Sequence, residues 1–220
     1  MKTVGMITIG QAPRDDVVPE MEKILGPEVR IVQAGALDGL SGAEIAALAP
    51  GPGQFPLITR LLDGTSVVIA KESIIPRLQA CLDRLAGEAT GFAILCTGRF
   101  PRFRCRHPVL EPEPILFAAA QAIVSEGPLG VIVPIEAQRS AATAHWSRIT
   151  PAVTVAVASP YAGAAPLVSA AEDLRRAGAR LVVMECMGFT QAARSVVRDL
   201  TGAAVLLPSS LVARVVAEVA

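Results

Sequence analysis

The chain has 220 residues, of which 52% are hydrophobic and only 4% are aromatic. This length permits one large domain or two small lobes, with a core of Ala, Val, Leu and Ile that is typical of parallel α/β sheets buried on both faces. Basic and acidic residues number 20 each, so the formal net charge is zero. That balance indicates neither nucleic acid nor a membrane surface as a partner.

Hydrophobic patterning also argues against membrane insertion or export. No apolar run reaches the roughly 18–20 residues that a membrane span needs, and the first ten residues are typical of a β-strand rather than a signal peptide. We therefore expect a cytoplasmic protein. Lysine occurs only at Lys2, Lys23 and Lys71, and the other basic residues are arginine. This bias is typical of a high-GC genome and favours a bacterial source, although a preference for bidentate anion binding is an alternative.

Short apolar runs alternate with helical patterns along the whole chain. Strands are predicted at 4–9, 29–34, 67–70, 92–96, 129–135, 153–158, 181–186 and 203–207. Helices are predicted at 15–25, 41–47, 55–62, 74–86, 116–125, 137–150, 164–177, 191–199 and 211–219. This alternation predicts an α/β fold with parallel sheets and right-handed crossovers.

Four cysteines occur, and their spacing matches no zinc site: Cys81, Cys96, Cys105 and Cys186. Disulfides are not expected in a cytosolic chain. Cys81 lies in a helical pattern and is predicted to be a buried hydrophobe. Cys105 lies in an arginine-rich segment at 99–107, and the irregular stretch at 101–114 is predicted to be a long loop that is a candidate lid over Cys96.

Two of the cysteines occupy similar contexts. Cys96 and Cys186 each end an apolar strand and each begin a Cys-X-Gly turn, as Cys96-Thr97-Gly98 and Cys186-Met187-Gly188. They are 186 − 96 = 90 residues apart, about the length of a small α/β lobe. The sequence therefore predicts two half-repeats, each with a cysteine at a strand end.

Thiols in these positions suggest proton-transfer chemistry. A thiol at a strand-to-helix turn is expected near backbone N–H groups of a helix N-terminus, which favour the thiolate and bind anions. Two such thiols on opposite faces of one carbon can remove a proton from one side and return it from the other, without a metal or pyridoxal. A single active cysteine would instead support isomerisation or decarboxylation. A packing role is the alternative for any buried cysteine at a strand end.

Polar residues after the first strand are candidate substrate contacts, because ligands bind beyond the carboxyl ends of parallel strands. Thr8, Gln11 and Arg14 are the candidates here. Neither a dinucleotide fingerprint nor a Walker A motif is present, so no nucleotide cofactor is predicted. Arg14 either clamps a carboxylate bidentately or forms a surface ion pair with Asp15 or Asp16.

Later strand ends contribute two further candidates. Glu136 either orients a polar substrate group or starts a helix favourably. Ser209 and Ser210 precede the last predicted helix, where one caps it and a hydroxyl can also point at the ligand. His107 and His145 have no acid or nucleophile partner in the sequence, and we do not expect them to be catalytic.

The sequence resembles the AroM family along essentially the whole chain. The matching stretches are TIGQAPRD at 8–15, GVIVPIE at 130–136, ECMGF at 185–189 and VLLPSSLVAR at 205–214. This family is named for a gene linked to aromatic amino-acid biosynthesis, and it is similar to the aspartate/glutamate/hydantoin racemase superfamily.

That resemblance implies two Rossmann-like lobes with parallel sheets, related by a pseudo-twofold axis, with a ligand cleft between them. The implied lobes are 1–118 with 205–220, and 119–204. It also implies that Cys96 and Cys186 are catalytic. The implied carboxylate contacts are Thr97, Gly98, Met187 and Gly188.

The predicted function is cofactor-independent racemisation or isomerisation of a small carboxylic acid or amino-acid derivative by two cysteines. We expect no metal and no cofactor, and a small carboxylate as the ligand. The alternatives are a one-cysteine lyase or decarboxylase, and a non-catalytic binding protein for an aromatic or shikimate-type acid. Oligomeric state stays open, with a homodimer among the options.

Overall fold

The computed structural model of the chain describes residues 2–124 and 127–219. Two compact units make up the fold: Met1–Glu113 together with Val212–Ala220, and Pro114–Leu211. The predicted lobes, 1–118 with 205–220 and 119–204, have bounds a few residues away from these. Both units alternate strands and helices, so the α/β prediction is confirmed.

The described residues form strands and helices close to those predicted, apart from the segment 55–62 and a two-residue strand at 109–110 within the predicted loop 101–114. The strands are β1 Lys2–Thr8, β2 Val29–Gly35, β3 Pro56–Arg60, β4 Ser66–Ala70, β5 Gly91–Leu95, β6 Val109–Leu110, β7 Leu129–Val133, β8 Val153–Val157, β9 Leu181–Met184 and β10 Ala204–Leu206. The helices are α1 Val18–Leu25, α2 Gly42–Ala46, α3 Lys71–Leu85, α4 Pro112–Ile123, α5 Arg139–Trp146, α6 Ala164–Arg176, α7 Gln191–Thr201 and α8 Pro208–Val219, with a 3₁₀ turn at Glu136–Gln138. The predicted helix end at Ser125 lies outside the described residues.

The first unit contains a parallel sheet in the order β2-β1-β5-β6. Strand β1 is central, and its last residue, Thr8, pairs in register with Leu95 at the end of β5. Helix α3 covers the sheet with a buried apolar face that includes Ile74 and Leu78. This register places the carboxyl end of β1 beside the residue that follows β5, which is Cys96.

The segment 55–62, predicted as a helix, is instead part of a β-hairpin. Strand β3 pairs antiparallel with β4, and Pro56 stands opposite Ala70. Burial alternates residue by residue along β3, which is the period of a strand and not of a helix. The turn is closed by Asp63, whose carboxylate accepts hydrogen bonds from the backbone and hydroxyl of Thr65, and by Gly64 with φ of 86°. This turn and the two-residue burial period explain why the helical prediction was wrong.

The second unit contains a parallel sheet in the order β10-β9-β7-β8. Strand β7 is buried along its whole length, as expected for a parallel strand covered on both faces. Strand β10 pairs with β9, so residues 204–206, most of which were predicted in the first lobe, join the second sheet. Trp146, Val131 and Val183 belong to one of the buried clusters of this unit.

The two sheets have the same order around their central strands. Strand β1 lies between β2 and β5, and β7 lies between β8 and β9. Cys96 directly follows β5, and Cys186 follows β9 after one intervening residue. Each cysteine therefore comes after the equivalent strand of its own sheet. Among the helices of the described ranges, none combines the length and apolar character needed to cross a membrane.

Candidate functional site

Cys96 is 7% exposed at the carboxyl end of β5. The backbone N–H of Gly98 donates a hydrogen bond to its sulfur over 3.3 Å. An N–H group in that position stabilises negative charge on sulfur. The prediction that a helix N-terminus supplies such groups is wrong here, because the chain continues in an irregular segment to β6. The donor comes from the Cys-X-Gly turn itself, and Thr97 within that turn is also buried.

The arginine-rich segment after Cys96 is attached to α3. The side chain of Gln79 donates to the carbonyl of Arg104 and accepts from its N–H, at 2.8 and 2.9 Å. The rings of Phe100 and Phe103 lie 6.0 Å apart and pack on the core of the first unit. Arg106 donates to the carbonyl of Ala86. These contacts order the segment in the structure, and its proposed role as a lid stays a prediction.

A buried ion pair lies at the carboxyl end of β1. Arg14 donates to both carboxylate oxygens of Asp16, at 2.7 and 2.8 Å, and to the hydroxyl of Thr8 at 3.1 Å. Burial alone would raise the pKa of Asp16, but the hydrogen bonds and charge of Arg14 lower it below its ordinary value. The predicted pairing of Arg14 with Asp16 is present, although Arg14 is buried and Asp16 is partly buried, so the pair is not a surface one.

The residues that follow β1 contact the hairpin of β3 and β4 at two points, Gln11 and Gly10. The side chain of Gln11 accepts a hydrogen bond from the N–H of Leu62 over 2.9 Å. Thr59 is buried, and a Cβ at Gly10 would collide with its hydroxyl. That hydroxyl has no hydrogen-bond partner among the described residues. Sequence reasoning missed Thr59, because it placed this residue in a helix.

Cys186 is 8% exposed, and the structure gives it a different setting. Its N–H donates to the carbonyl of Met184 over 2.8 Å, which closes a tight turn around Glu185. Helix α7 begins only at Gln191, after the cap residue Thr190, so the predicted helix N-terminus next to this thiol is also wrong.

The residues around Cys186 are closely packed. Met187 is buried, and a Cβ at Gly188 would lie 2.6 Å from the hydroxyl oxygen of Tyr161. Before the cysteine in the chain, the carboxylate of Glu185 accepts a hydrogen bond from the indole N–H of Trp146 over 2.8 Å. Neither Tyr161 nor Trp146 was a candidate from sequence, because both are distant in the chain and belong to no motif.

Two other candidates of the second unit differ in exposure. Glu136 begins the 3₁₀ turn after β7 and pairs with Arg139 over 2.6 Å, with 71% of its side chain exposed. The hydrogen bond from Arg139 lowers the pKa of Glu136. Ser209 lies within the first turn of α8, not before it as predicted, and is 2% exposed. Its hydroxyl finds no hydrogen-bond partner in the part of the chain that the structure describes.

The histidines lie among aromatic side chains. His145 is buried with its ring 4.8 Å from Phe117 and 5.2 Å from Trp146, and His107 lies 6.4 Å from Phe92. Within residues 2–124 and 127–219, no group of three or more His, Cys, Asp or Glu side chains is arranged to hold a metal ion.

A cavity of about 300 Å³ lies at the opposite edge of the first sheet. Its lining includes Lys2 at the start of β1 and Gly91 at the start of β5, with Val216 from α8. This is the amino-terminal edge of the strands, whereas Cys96 follows their carboxyl-terminal edge. The cavity is therefore separate from the candidate site.

The predicted residues assemble within each unit. Thr8, Gln11, Arg14, Cys96, Thr97 and Gly98 follow the adjacent strands β1 and β5 of the first sheet. Glu136, Cys186, Met187, Gly188 and Ser209 follow β7, β9 and β10 of the second. Each sheet thus presents a cysteine and polar groups at the edge where α/β proteins bind ligands.

Solved structures with a similar fold include racemases and a decarboxylase. The fold is similar to that of glutamate racemase from Aquifex pyrophilus, with a TM-score of 0.61 and 13% identity over 99% of this chain and 84% of that one. Allantoin racemase from Klebsiella pneumoniae gives a TM-score of 0.62 and 12% identity, over 100% and 87% of the two chains. Arylmalonate decarboxylase gives a TM-score of 0.61 and 16% identity, over 98% of this chain and 92% of that one. The chain therefore has the racemase-like α/β fold of two lobes.

Within that fold class, the family of the chain is also defined. The model of the AroM protein family matches residues 4–220. This chain belongs to the AroM family, which confirms the resemblance in its four matching stretches. A comparison with curated proteins finds no match.

Proposed function

We propose that this protein is a cofactor-independent racemase or isomerase that acts on a small carboxylic acid or amino-acid derivative through Cys96 and Cys186. One cysteine, as thiolate, accepts the proton from the carbon next to the carboxylate. The other, as thiol, donates a proton to the opposite face of that carbon and becomes the thiolate. The step balances, because the thiolate that takes the proton becomes a thiol and the thiol that gives its proton becomes a thiolate, so the two cysteines exchange protonation states at each turnover. A cytoplasmic location fits such a small-molecule reaction.

The observation that carries this proposal is the equivalent placement of the two thiols. Each follows the equivalent strand of a parallel sheet, and each begins a Cys-X-Gly turn. Ligand sites of α/β sheets lie at these strand ends. The racemase-like fold supports the same reaction class. Both cysteines also belong to the buried apolar clusters of their units, so packing is the alternative that the cysteine variants below test.

Backbone and hydroxyl groups that follow the strands of the two sheets are candidate contacts for a carboxylate. The N–H of Gly98 already points at the sulfur of Cys96. In the second unit, Ser209 offers a buried hydroxyl without a hydrogen-bond partner among the described residues, at the start of α8. A buried hydroxyl without a partner costs about 1–3 kcal/mol, and a carboxylate oxygen would satisfy it. We propose Ser209 as a contact to the substrate carboxylate.

A one-cysteine lyase or decarboxylase is the second candidate. It is favoured by the unequal backbone settings of the two thiols, since Cys96 precedes a long irregular segment whereas Cys186 follows a tight turn. Arylmalonate decarboxylase is among the structures with a similar fold. In this reaction one cysteine protonates the carbanion left after CO₂ departs.

Proton exchange in D₂O tests the two-cysteine proposal. Purified protein is incubated with chiral amino acids, hydantoins, 2-hydroxy acids and aromatic carboxylates, and α-deuteration is followed by NMR together with optical rotation. We expect exchange and racemisation for at least one class. Cys96→Ala and Cys186→Ala should each lower turnover about 10²–10⁴-fold, the usual contribution of a general acid or base.

Cys105→Ala is the matched control, because Cys105 is half-buried in the first unit and away from the strand ends. It should retain wild-type exchange. Loss of turnover in only one strand-end variant would favour the one-cysteine reaction. Ligand binding that survives both changes, with no exchange for any compound, would leave the non-catalytic binding protein as the function.

A further inference from the structure

The residue directly before Cys186 is the pivot between β9 and the cysteine turn. The N–H of Glu185 donates to the carbonyl of Ile132 over 2.8 Å, which continues the pairing of β9 with β7. The next N–H, that of Cys186, turns back to the carbonyl of Met184 over 2.8 Å. The direction in which Cys186 leaves the sheet therefore depends on the conformation of Glu185.

The side chain of Glu185 is held by the single tryptophan of the chain. The indole N–H of Trp146 donates to its carboxylate over 2.8 Å. Trp146 is fully buried at the end of α5, stacked with Phe117 at 5.8 Å between ring centroids and edge-on to His145. A buried indole has one donor and needs an acceptor, so this hydrogen bond is costly to break.

Tyr161 packs against the glycine that ends the Cys186-Met187-Gly188 turn. Its ring occupies the space that a side chain at position 188 would need, at 2.6 to 3.0 Å from an ideal Cβ. The cysteine is therefore preceded in the chain by a carboxylate bound to a buried aromatic cluster and followed, two residues later, by a glycine packed against a second ring. Met187, which follows the cysteine, is buried as well, and this further restricts the conformations that the turn can adopt.

We propose that Trp146 and Glu185 are positioning residues for Cys186. Their hydrogen bond keeps the strand end in the conformation that presents this thiol, and neither residue itself exchanges a proton with substrate. The functional meaning rests on the proposed function, but the positioning effect is a property of Cys186 and is measurable without a substrate.

Site-resolved alkylation tests the proposal in the full-length protein. Wild type, Glu185→Ala, Glu185→Gln and Trp146→Phe are labelled with iodoacetamide from pH 6 to 10, and each cysteine is quantified by peptide mass spectrometry. In Glu185→Ala and Trp146→Phe the turn loses its anchor and opens more often. The loss of a hydrogen bond that contributes about 1.4 kcal/mol changes the equilibrium between the closed and the open turn tenfold. We expect Cys186 to react about tenfold faster, whereas Cys96 and Cys81 stay within twofold of wild type.

Glu185→Gln is the conservative variant that separates positioning from general destabilisation. The amide oxygen still accepts the indole hydrogen bond, so Cys186 should return to within threefold of its wild-type rate. Circular dichroism confirms folding, and if Trp146→Phe does not fold, the two Glu185 variants carry the test.

The inference is overturned if folded Glu185→Ala leaves the Cys186 rate unchanged, if all cysteines accelerate together, or if wild-type Cys186 stays unlabelled up to pH 10. Failure of the proposed function gives another result. In that case no compound exchanges its α-proton in D₂O, but Glu185→Ala still accelerates the alkylation of Cys186 selectively.

Discussion

The strand ends that carry Cys96 and Cys186 begin alike and then differ. Both thiols are buried at equivalent positions and both start a Cys-X-Gly turn. After Cys96 the chain forms a long irregular segment held to α3, and a backbone N–H points at the sulfur. After Cys186 the chain makes a tight turn, flanked by Glu185 with Trp146 and by Tyr161, and then enters α7.

This difference teaches that equivalent topology does not give the two thiols the same surroundings. A backbone N–H points at the sulfur of Cys96, and a carboxylate residue, Glu185, directly precedes Cys186 in the chain. A two-base reaction needs one thiolate and one thiol at a time, so unequal surroundings are suited to it.

The largest effect on stability is expected at the end of the central strands β1 and β7. Asp16→Asn leaves the buried guanidinium of Arg14 without its carboxylate, which should cost roughly 3 kcal/mol in the free energy of unfolding. The matched change at the end of β7, Glu136→Gln, removes an exposed ion pair and should leave the unfolding free energy unchanged. Urea unfolding at neutral pH measures both.

The pH dependence of the Asp16 effect has a defined sign. The folded pKa of Asp16 lies below its ordinary value, so its contribution is present above that value and is lost as the pH falls through the folded pKa. The difference in unfolding free energy between wild type and Asp16→Asn should therefore become smaller below about pH 4. A gap that is constant from pH 7 to 3 would contradict the ion-pair explanation.

An intermediate effect is expected at the two turn glycines. Gly188→Ala must displace the ring of Tyr161, at 2.6 to 3.0 Å from the new Cβ, and should destabilise by about 1–3 kcal/mol. Gly98→Ala meets Leu57, Phe100 and the Cys96 sulfur at 3.2 to 3.3 Å, and a smaller loss is expected. Thermal unfolding of the two variants compares them, and equal losses would mean that the turns are packed alike.

The smallest effect on stability is expected at the start of α8. Ser209→Ala removes a hydroxyl that has no partner in the described structure, so the protein should be as stable as wild type or slightly more stable. If Ser209 binds the substrate carboxylate, KM for the compound found by deuterium exchange should rise about tenfold, equivalent to about 1.4 kcal/mol.

Ser210→Ala is the control for that change. Its hydroxyl donates to the carbonyl of Leu207 over 3.2 Å, so this variant should lose some stability and keep its KM. The opposite pattern, with Ser209→Ala destabilised and KM unchanged, would assign Ser209 to packing.

Much of the architecture was predictable because it follows from local periodicity. Apolar runs such as β7 are buried on both faces and read as strands without any tertiary information. The hairpin of β3 and β4 was missed, since the alternation in 56–60 is short and is decided by its pairing and by the Asp63-Gly64 turn. Arg14 stayed ambiguous in sequence because burial decides whether its pair with Asp16 is a surface feature.

The sequence by itself determined the family, the alternation of strands and helices, and the position of Cys96 and Cys186 at strand ends, because these depend on residue order over short windows. Tertiary structure alone decided what surrounds each thiol. Trp146 reaches Glu185 across 39 positions in the chain, and Tyr161 reaches Gly188 across 27. Such contacts depend on which strands become neighbours in a sheet, and no local pattern contains that information.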